Sequence, residues 1–599
     1  MSGRCLLGLI LTTISLGICV HSQQFDYIVV GSGAGGGVVA TELAKAGFDT
    51  LLIEAGPDYK SAVISTPGMH LQASEDPAIS FEYFVKNYPE STGVRQNVYY
   101  PRVGALGGCP NHHAMVGMYP NTRDFDALVE ATNDDGWKEA NMRKYFKQME
   151  RNHYNKADVN EADHGFNGWF PTSYSDFTRQ PTLDPQLRDV LKVLGGDTSR
   201  DVNGYTRTGA LESDQEGRML IPQNVDGKVF ERGDFSGYIK EVASNGKLTI
   251  WTDTLATKIL LDQENTAKGV EYKKGRYLYK ASPLSNDENR EHAPHGKVYA
   301  KKEIILSAGT FNTPQLLMLS GIGDAEHLAA MDIEPRVDLK GVGRNMQDRY
   351  ETPHIMKLNR KFAHLKHCKF WANFSDPCFD MYQKHRAGPY ISDGILSGYM
   401  DKSDPSLNEP DLFTINLALR FEGFFKGYAQ FAADHPDSMS HLILKAHTKN
   451  KAGEVKLKSK NPFETPYINF HYFEQGGEHD LNAIVKQIRI QRKRDSGPHW
   501  SGFTEHLPGL NVTTDEELKD YIRKTTWGHH ACCTAKVGHD NDPMAVLDQR
   551  FRVRGTQNLR VVDASVFTEI PGYFPVLFIH MVGYKAAADI IADASANSY

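Results

Sequence analysis

Asp26-Tyr27-Ile28-Val29-Val30-Gly31-Ser32-Gly33-Ala34-Gly35-Gly36-Gly37, which begins just after Phe25, is the stretch that decides the fold. Its first five residues are the apolar, β-branched kind of run that fills a buried parallel strand. Gly31, Gly33 and Gly36 then spell G-x-G-x-x-G with Ala34 between them. A helix is expected from Val38 to Ala46, closed by Gly47 as a C′ glycine. Thr50 to Ile53 reads as a second strand and ends at Glu54. Each glycine has its own task in such a unit. Gly31 permits the tight turn, Gly33 lets the backbone approach a pyrophosphate, and Gly36 packs helix on strand. The helix N-terminus then turns free N–H groups and a positive dipole end toward the phosphates. Glu54 can accept a ribose 2′-hydroxyl, which argues against a 2′-phosphate and so against NADP. The unit's place at the start of the chain and its Glu54-Ala55-Gly56 ending favour FAD over NAD.

Outward from this unit, Leu248 to Thr252 and Lys302 to Leu306 read as further strands, the latter feeding a turn and a helix through Gln315 to Leu319. From about Tyr350 to Thr526 the texture changes to aromatics and alternating strands such as Leu412 to Leu417 and Ser440 to Ala446, with a charged helix near Asp480 to Lys493. Leu559 to Val562 and then Tyr584 to Ala592 return to strand and helix, while Asn286 to His295 reads as a loop. The expected fold is therefore a Rossmann-like α/β FAD-binding domain joined to an α+β substrate-binding domain with an antiparallel sheet. The first takes residues 25–125, 200–345 and 530–599, the second 126–199 and 346–529. A chain of 599 residues is long enough for more than one core.

A net charge of −7 and the lack of any Lys/Arg-rich block give no footprint for nucleic acid. Residues 1–22 have the layout of a secretory signal peptide: Arg4, an apolar run from Cys5 to Val20, then the permissive Val20-His21-Ser22. A membrane anchor is the alternative, but the run is shorter than the roughly 20 apolar residues a span needs. No later stretch reads as a span, so no stable membrane insertion is expected. Without that segment Cys109, Cys368, Cys378, Cys532 and Cys533 remain, an odd number that leaves at least one free thiol. Cys368 and Cys378, in one polar segment, are the best pair. Asn373-Phe374-Ser375 and Asn511-Val512-Thr513 are glycosylation triplets in keeping with an extracellular protein.

Three further stretches carry a resemblance. Gly309-Thr310-Phe311-Asn312-Thr313-Pro314-Gln315 through Gly321-Ile322-Gly323 resembles the second signature of the glucose–methanol–choline (GMC) oxidoreductases. Gly341-Val342-Gly343-Arg344-Asn345-Met346-Gln347-Asp348 is similar to their G-V-G-x-N-L-Q-D, and Asp542 to Asp548 with Leu559 to Ser565 resembles their C-terminal block. The resemblance implies a flavin enzyme that oxidises the CH–OH group of an alcohol or sugar and passes electrons to O₂ or a quinone. It also implies that Asp563 and the Ala564 backbone hold the ribityl–pyrophosphate arm, that Arg102 to Met118 lies along the isoalloxazine ring, and that Gly108, Ala114, Ala256 and Pro575 touch the cofactor.

Trp527-Gly528-His529-His530-Ala531-Cys532-Cys533-Thr534-Ala535-Lys536-Val537-Gly538 corresponds to the family's H-P-x-G-T-C-x-M-G, which places His530 on the catalytic histidine and leaves His529 a structural neighbour. An imidazole suits the task, because it can take the hydroxyl proton near neutral pH as hydride leaves the carbon. At the usual second catalytic position, a histidine or asparagine before a proline, this chain has Phe574 before Pro575. Phenylalanine moves no proton, so the second role is missing, shifted to Tyr573 or His580, or supplied by the insert. The stretch Ile570 to Phe574 resembles a fungal branch that shares this departure. In choline oxidase-like members a histidine at the place of His112 is bonded covalently to the flavin's 8-methyl carbon, so the resemblance implies such a bond through His112, with His113 a lesser contender. Adjacent cysteines and adjacent histidines do not give metal-ligand spacing, so no metal is expected. Cys532 and Cys533 read as small residues packed beside the flavin, with a vicinal disulfide as the alternative. Trp371, Phe374, Phe421, Phe424 and Phe425 suggest an aryl or primary alcohol. A lyase of the hydroxynitrile type on the same fold, or a flavin protein without catalysis, stands as the alternative to oxidation.

Overall fold

The computed structural model describes residues 24–155, 162–175, 184–194 and 200–596, so the segment 1–22 lies outside it. The opening run becomes strand Gln24–Val30, at the centre of a seven-stranded mixed sheet. Thr50–Ile53 and then Leu248–Trp251 lie parallel on one side of it, with His295–Leu306 parallel on the other. All four residues of Thr50–Ile53 are buried, as a strand covered on both faces requires. The end of His295–Leu306 also pairs in parallel with Leu559–Val561, so the last part of the chain completes the sheet begun by the first. The antiparallel hairpin Thr254–Leu261 and Ala267–Lys274 extends the far edge.

Helix Gly36–Lys45 starts at the third glycine of the motif, two residues before the expected position, and packs between helices Phe235–Ala243 and Pro575–Ala596. Small residues make that seat possible. A Cβ on Gly37 would lie 2.6 Å from the Phe235 ring, and one on Gly36 would lie 2.1 Å from the Gly31 carbonyl oxygen.

Helix Pro575–Ala596 corrects two expectations. It begins nine residues ahead of Tyr584, and by length and composition its 22 residues could cross a membrane. It is instead a core helix, with Leu577, Met581, Val582 and Ile590 fully buried. A helix apolar around its whole circumference has no 3.6-residue pattern from which to read its start. The stretch Asn286 to His295 is likewise no plain loop. Asn286 caps a short helix, Asp287–Glu291, and His295 opens the long strand.

The second sheet has six antiparallel strands, in the order Phe503–Leu507, Tyr350–Leu358, Ser438–Lys445, Leu412–Leu417, Ile395–Asp401 and Gly217–Met219. Gly217–Met219 falls within the 200–345 segment expected in the first domain, yet it forms an edge of this sheet; three residues are too few to carry a readable alternation. Helices Gly477–Asp495 and Asp515–Thr525 pack together, the former against this sheet. Cys368 and Cys378 are paired, with Cα atoms 5.1 Å apart, and Cys109 is free. Cys532 and Cys533 form a vicinal disulfide rather than two separate small side chains, and both are buried.

Candidate active site

A cavity of about 360 Å³ opens between the two sheets. Its floor is the glycine turn. Gly31 takes φ +100°, and a Cβ there would strike the Ser307 carbonyl oxygen at 2.2 Å, whereas a Cβ on Gly33 would meet nothing within 4 Å. That open backbone at a helix N-terminus is the cradle a pyrophosphate needs. Gly108 adopts φ +62° and presses its backbone against Gly33, where a Cβ would sit 2.6 Å from the Gly33 Cα. Ala34, Glu54, His112, Ala114, Ala256, Asp563, Ala564 and Pro575 all line the same cavity, while Gly36 lies behind it as the packing contact. Glu54 is buried and braced: its carboxylate accepts from the Ser32 backbone N–H (3.1 Å) and hydroxyl (2.5 Å) and from Gly56 N–H (3.1 Å). Burial raises its pKa in spite of these donors. Asp563 accepts from Gly309 N–H (2.9 Å), Thr313 Oγ1 (2.6 Å) and Ser565 N–H (2.7 Å), which locks the start of helix Gly309–Leu319 to the end of the sheet. This donor set, with its braced acid and open backbone cradle at Gly33, fits FAD.

The loop that carries His529 and His530 hangs between two bridges, Gln347 to Cys532 and Glu351 to Trp527. Within it Asp348 Oδ1 accepts from His530 N–H (2.9 Å), and Asp348 Oδ2 accepts from the Tyr100 hydroxyl (2.7 Å). Tyr100 in turn accepts from Ala531 N–H (2.8 Å), and Arg102 donates to the His529 carbonyl (2.9 Å). The backbone on both sides of His530 is therefore pinned by the buried side chains of Asp348 and Tyr100 and by the half-buried Arg102.

Its imidazole faces Glu351, with Nδ1 3.3 Å from Oε1, and His529 Nδ1 lies at the same 3.3 Å. The two rings are 3.8 Å apart. Burial first, then neighbouring positive groups including Arg349 and Arg102, holds both histidines well below the ordinary imidazole range. Burial pushes Glu351 up to about 8 and Asp348 up to about 6. At neutral pH the Glu351–histidine contact therefore joins neutral groups and is no ion pair. None of the three facing atoms has a hydrogen-bond partner.

Phe574 lines the cavity, its ring edge-on to His530 at 5.4 Å and packed against Phe413. Neither expected substitute comes near. The Tyr573 hydroxyl donates to the Pro410 carbonyl, and His580 contacts the Ala34 carbonyl inside a cage of Trp169, Phe170 and Phe235. The polar neighbours of His530 are instead His529 and Glu351. Glu351 carried no signal in the sequence beyond standing three residues after the G-V-G-x-N-x-Q-D stretch. Of the insert's aromatics, Phe421 and Phe424 line the cavity, but Trp371, Phe374 and Phe425 are surface residues.

Compared with known proteins, residues 25–351 match the model of the GMC oxidoreductase N-terminal domain and residues 449–583 that of the C-terminal domain. An oxygen-dependent choline dehydrogenase of Staphylococcus epidermidis is 30% identical, over 95% of this chain and 93% of its own length. Among solved structures, a formate oxidase variant of Aspergillus oryzae superposes with TM-score 0.79 at 20% identity, covering 96% of this chain and 99% of its own. A fungal aryl-alcohol oxidase gives TM-score 0.73 at 20% identity, covering 95% and 99%.

Proposed function

Because this chain belongs to the glucose–methanol–choline oxidoreductases, FAD enzymes that act on CH–OH donors, we propose that it oxidises a small alcohol or sugar with His530 as the base. The observation that supports this most is the neutral, pinned imidazole of His530 in the wall of the cofactor cavity. Bound FAD supplies the hydride acceptor. The protein's part is to hold and move the proton. Glu351 faces Nδ1, which leaves Nε2 to take the substrate hydroxyl's proton as the carbon–hydrogen bond breaks. Asp348, Tyr100 and Arg102 keep that ring in place. Phe421, Phe424 and Phe574 make the substrate side apolar and favour a primary or aryl alcohol over a heavily hydroxylated sugar.

The electron acceptor is O₂ or a quinone, and a panel of alcohols and sugars assayed with both separates an oxidase from a dehydrogenase. Under anaerobic conditions a good substrate should bleach the flavin completely. A flavin that stays oxidised while an α-hydroxynitrile is cleaved would favour the lyase reading instead.

His112 is the residue that would carry a covalent link to the flavin: its imidazole would replace one hydrogen of the 8-methyl group, and the two protons and two electrons released would leave to the solvent and to the enzyme's O₂ or quinone acceptor. His112 Nδ1 is buried without a partner, whereas His113 is already engaged, its Nδ1 accepting from Met115 N–H and its carbonyl from Arg232. Acid-precipitated enzyme should remain yellow, and His112→Ala should release its flavin to the supernatant; a colourless wild-type pellet would rule the bond out.

Secretion rests on residues 1–22, on the Cys368–Cys378 bridge, and on Asn373 and Asn511, both exposed. The mature N-terminus is then expected near Gln23 on protein from the medium, and a chain retained in the cells with Met1 intact would refute secretion.

A further inference from the structure

Glu351 Oε1, His529 Nδ1 and His530 Nδ1 are buried, converge on one point, and have no hydrogen-bond partner. Each nitrogen is 3.3 Å from the oxygen, and all three atoms lie within 4.8 Å of one another. Unmatched buried polar atoms cost free energy, and three at one point leave a gap that one multivalent partner could fill. Two ligands at about 2.0–2.1 Å from a tetrahedral ion stand roughly 3.3–3.4 Å apart. Two imidazoles and one carboxylate, with the fourth position left to water, are the donor set of an open zinc site. Calcium and magnesium ask for more oxygen ligands than are present, so the donors select a borderline ion such as Zn²⁺ or Cu²⁺.

We propose that Glu351, His529 and His530 form a reversible binding site for a divalent transition-metal ion, and that filling it switches the enzyme off. The switch follows from the tautomer. A neutral imidazole carries one N–H, and a metal on Nδ1 confines that proton to Nε2. His530 then presents a donor where the base must present a lone pair. Spacing along the chain hid this site, because its third donor comes from strand Tyr350–Leu358 rather than from the His-His pair. The guanidinium of Arg102, bonded to the His529 carbonyl at 2.9 Å, opposes a cation and keeps the ion removable. Ion binding stands on geometry alone; the loss of turnover rests on the reading of His530 as base.

The test uses flavin-loaded enzyme treated with chelator. Calorimetry with Zn²⁺ should show one site per chain above any weak surface binding, and Cu²⁺ at that site should show nitrogen splitting in its EPR spectrum, where oxidised flavin is silent. As the site fills, kcat should fall with little change in KM, and EDTA should restore it. Glu351→Gln and His529→Gln should each weaken Zn²⁺ at least about tenfold. The exposed control His479→Ala should leave binding unchanged. If Glu351→Gln fails to hold flavin, His529→Gln carries the comparison. Unaltered Zn²⁺ affinity in the variants would overturn the site. Full turnover with the site occupied would overturn the switch, and with it the assignment of His530, while leaving the site intact.

Discussion

Replacing His530 with alanine should slow anaerobic flavin reduction by a good alcohol about 10²–10⁴-fold, the usual loss for a general base, while the protein keeps its yellow colour. The cavity sets what should accompany that loss. Asp348, Tyr100 and Arg102 hold the loop through the backbone of residues 529–531, so removing the ring leaves the loop's anchors in place. The deficit should therefore sit in the reduction step and not in FAD binding. His529→Ala should cost far less, because its ring packs edge-on against Phe424 and His530 keeps its own contact with Glu351.

A pH profile adds a second reading. Burial pushes Glu351 up to about 8, so its carboxyl is neutral below that pH and a carboxylate above it. A carboxylate beside Nδ1 stabilises the imidazolium formed as His530 takes the proton, so reduction should accelerate as pH rises through about 8. In Glu351→Gln that rise should vanish. If His530→Ala reduced its flavin at the wild-type rate, the base would have to be sought elsewhere in the cavity.

Legibility in the sequence follows the range of the forces involved. The glycine turn was readable because its constraint is local: a positive φ at Gly31 and a carbonyl 2.1 Å from any Cβ on Gly36 leave no other residue type room. Strand Thr50–Ile53 was readable because a strand covered on both faces must be apolar throughout. The neighbourhood of His530 was not. Asp348 reaches its N–H from 182 residues away and Tyr100 reaches Ala531 from 431, and nothing in a local pattern marks such partners. Phe574 shows the limit of counting positions. It does stand edge-on to His530, but the polar group beside that ring is Glu351, at Nδ1. His529, assigned a structural part by position, shares that carboxylate equally with His530.

His164 should prove the most consequential histidine for stability. It is 1% exposed and sits between two acids, Nδ1 2.8 Å from Glu150 Oε2 and Nε2 2.7 Å from Asp201 Oδ2. Burial alone would depress its pKa; hydrogen bonds to Asp201 and Glu150 outweigh that and lift it to about 9. Glu150 also accepts from Thr172 Oγ1 (2.7 Å) and Gly165 N–H (3.1 Å), and Asp201 accepts from Asn203 N–H (3.2 Å). The Asn203 side chain then accepts from Tyr119 N–H (2.7 Å) and donates to the Gly117 carbonyl (2.8 Å), gripping the chain just beyond the His112 to Val116 wall of the cavity. His164→Leu would leave two carboxylates facing each other in a buried site, and breaking such an arrangement costs about 3–5 kcal/mol. The sign of the pH effect follows from the raised pKa. The imidazolium's contribution is fully present below the unfolded value near 6.5 and is lost as pH rises through about 9. Wild-type enzyme should lose about 3 kcal/mol of unfolding free energy over that interval, and urea denaturation of the two proteins at pH 6 and pH 10 measures it. The gap between wild type and His164→Leu should narrow at the higher pH; a gap that stays constant would mean His164 is neutral in the fold and the strut is an ordinary hydrogen bond.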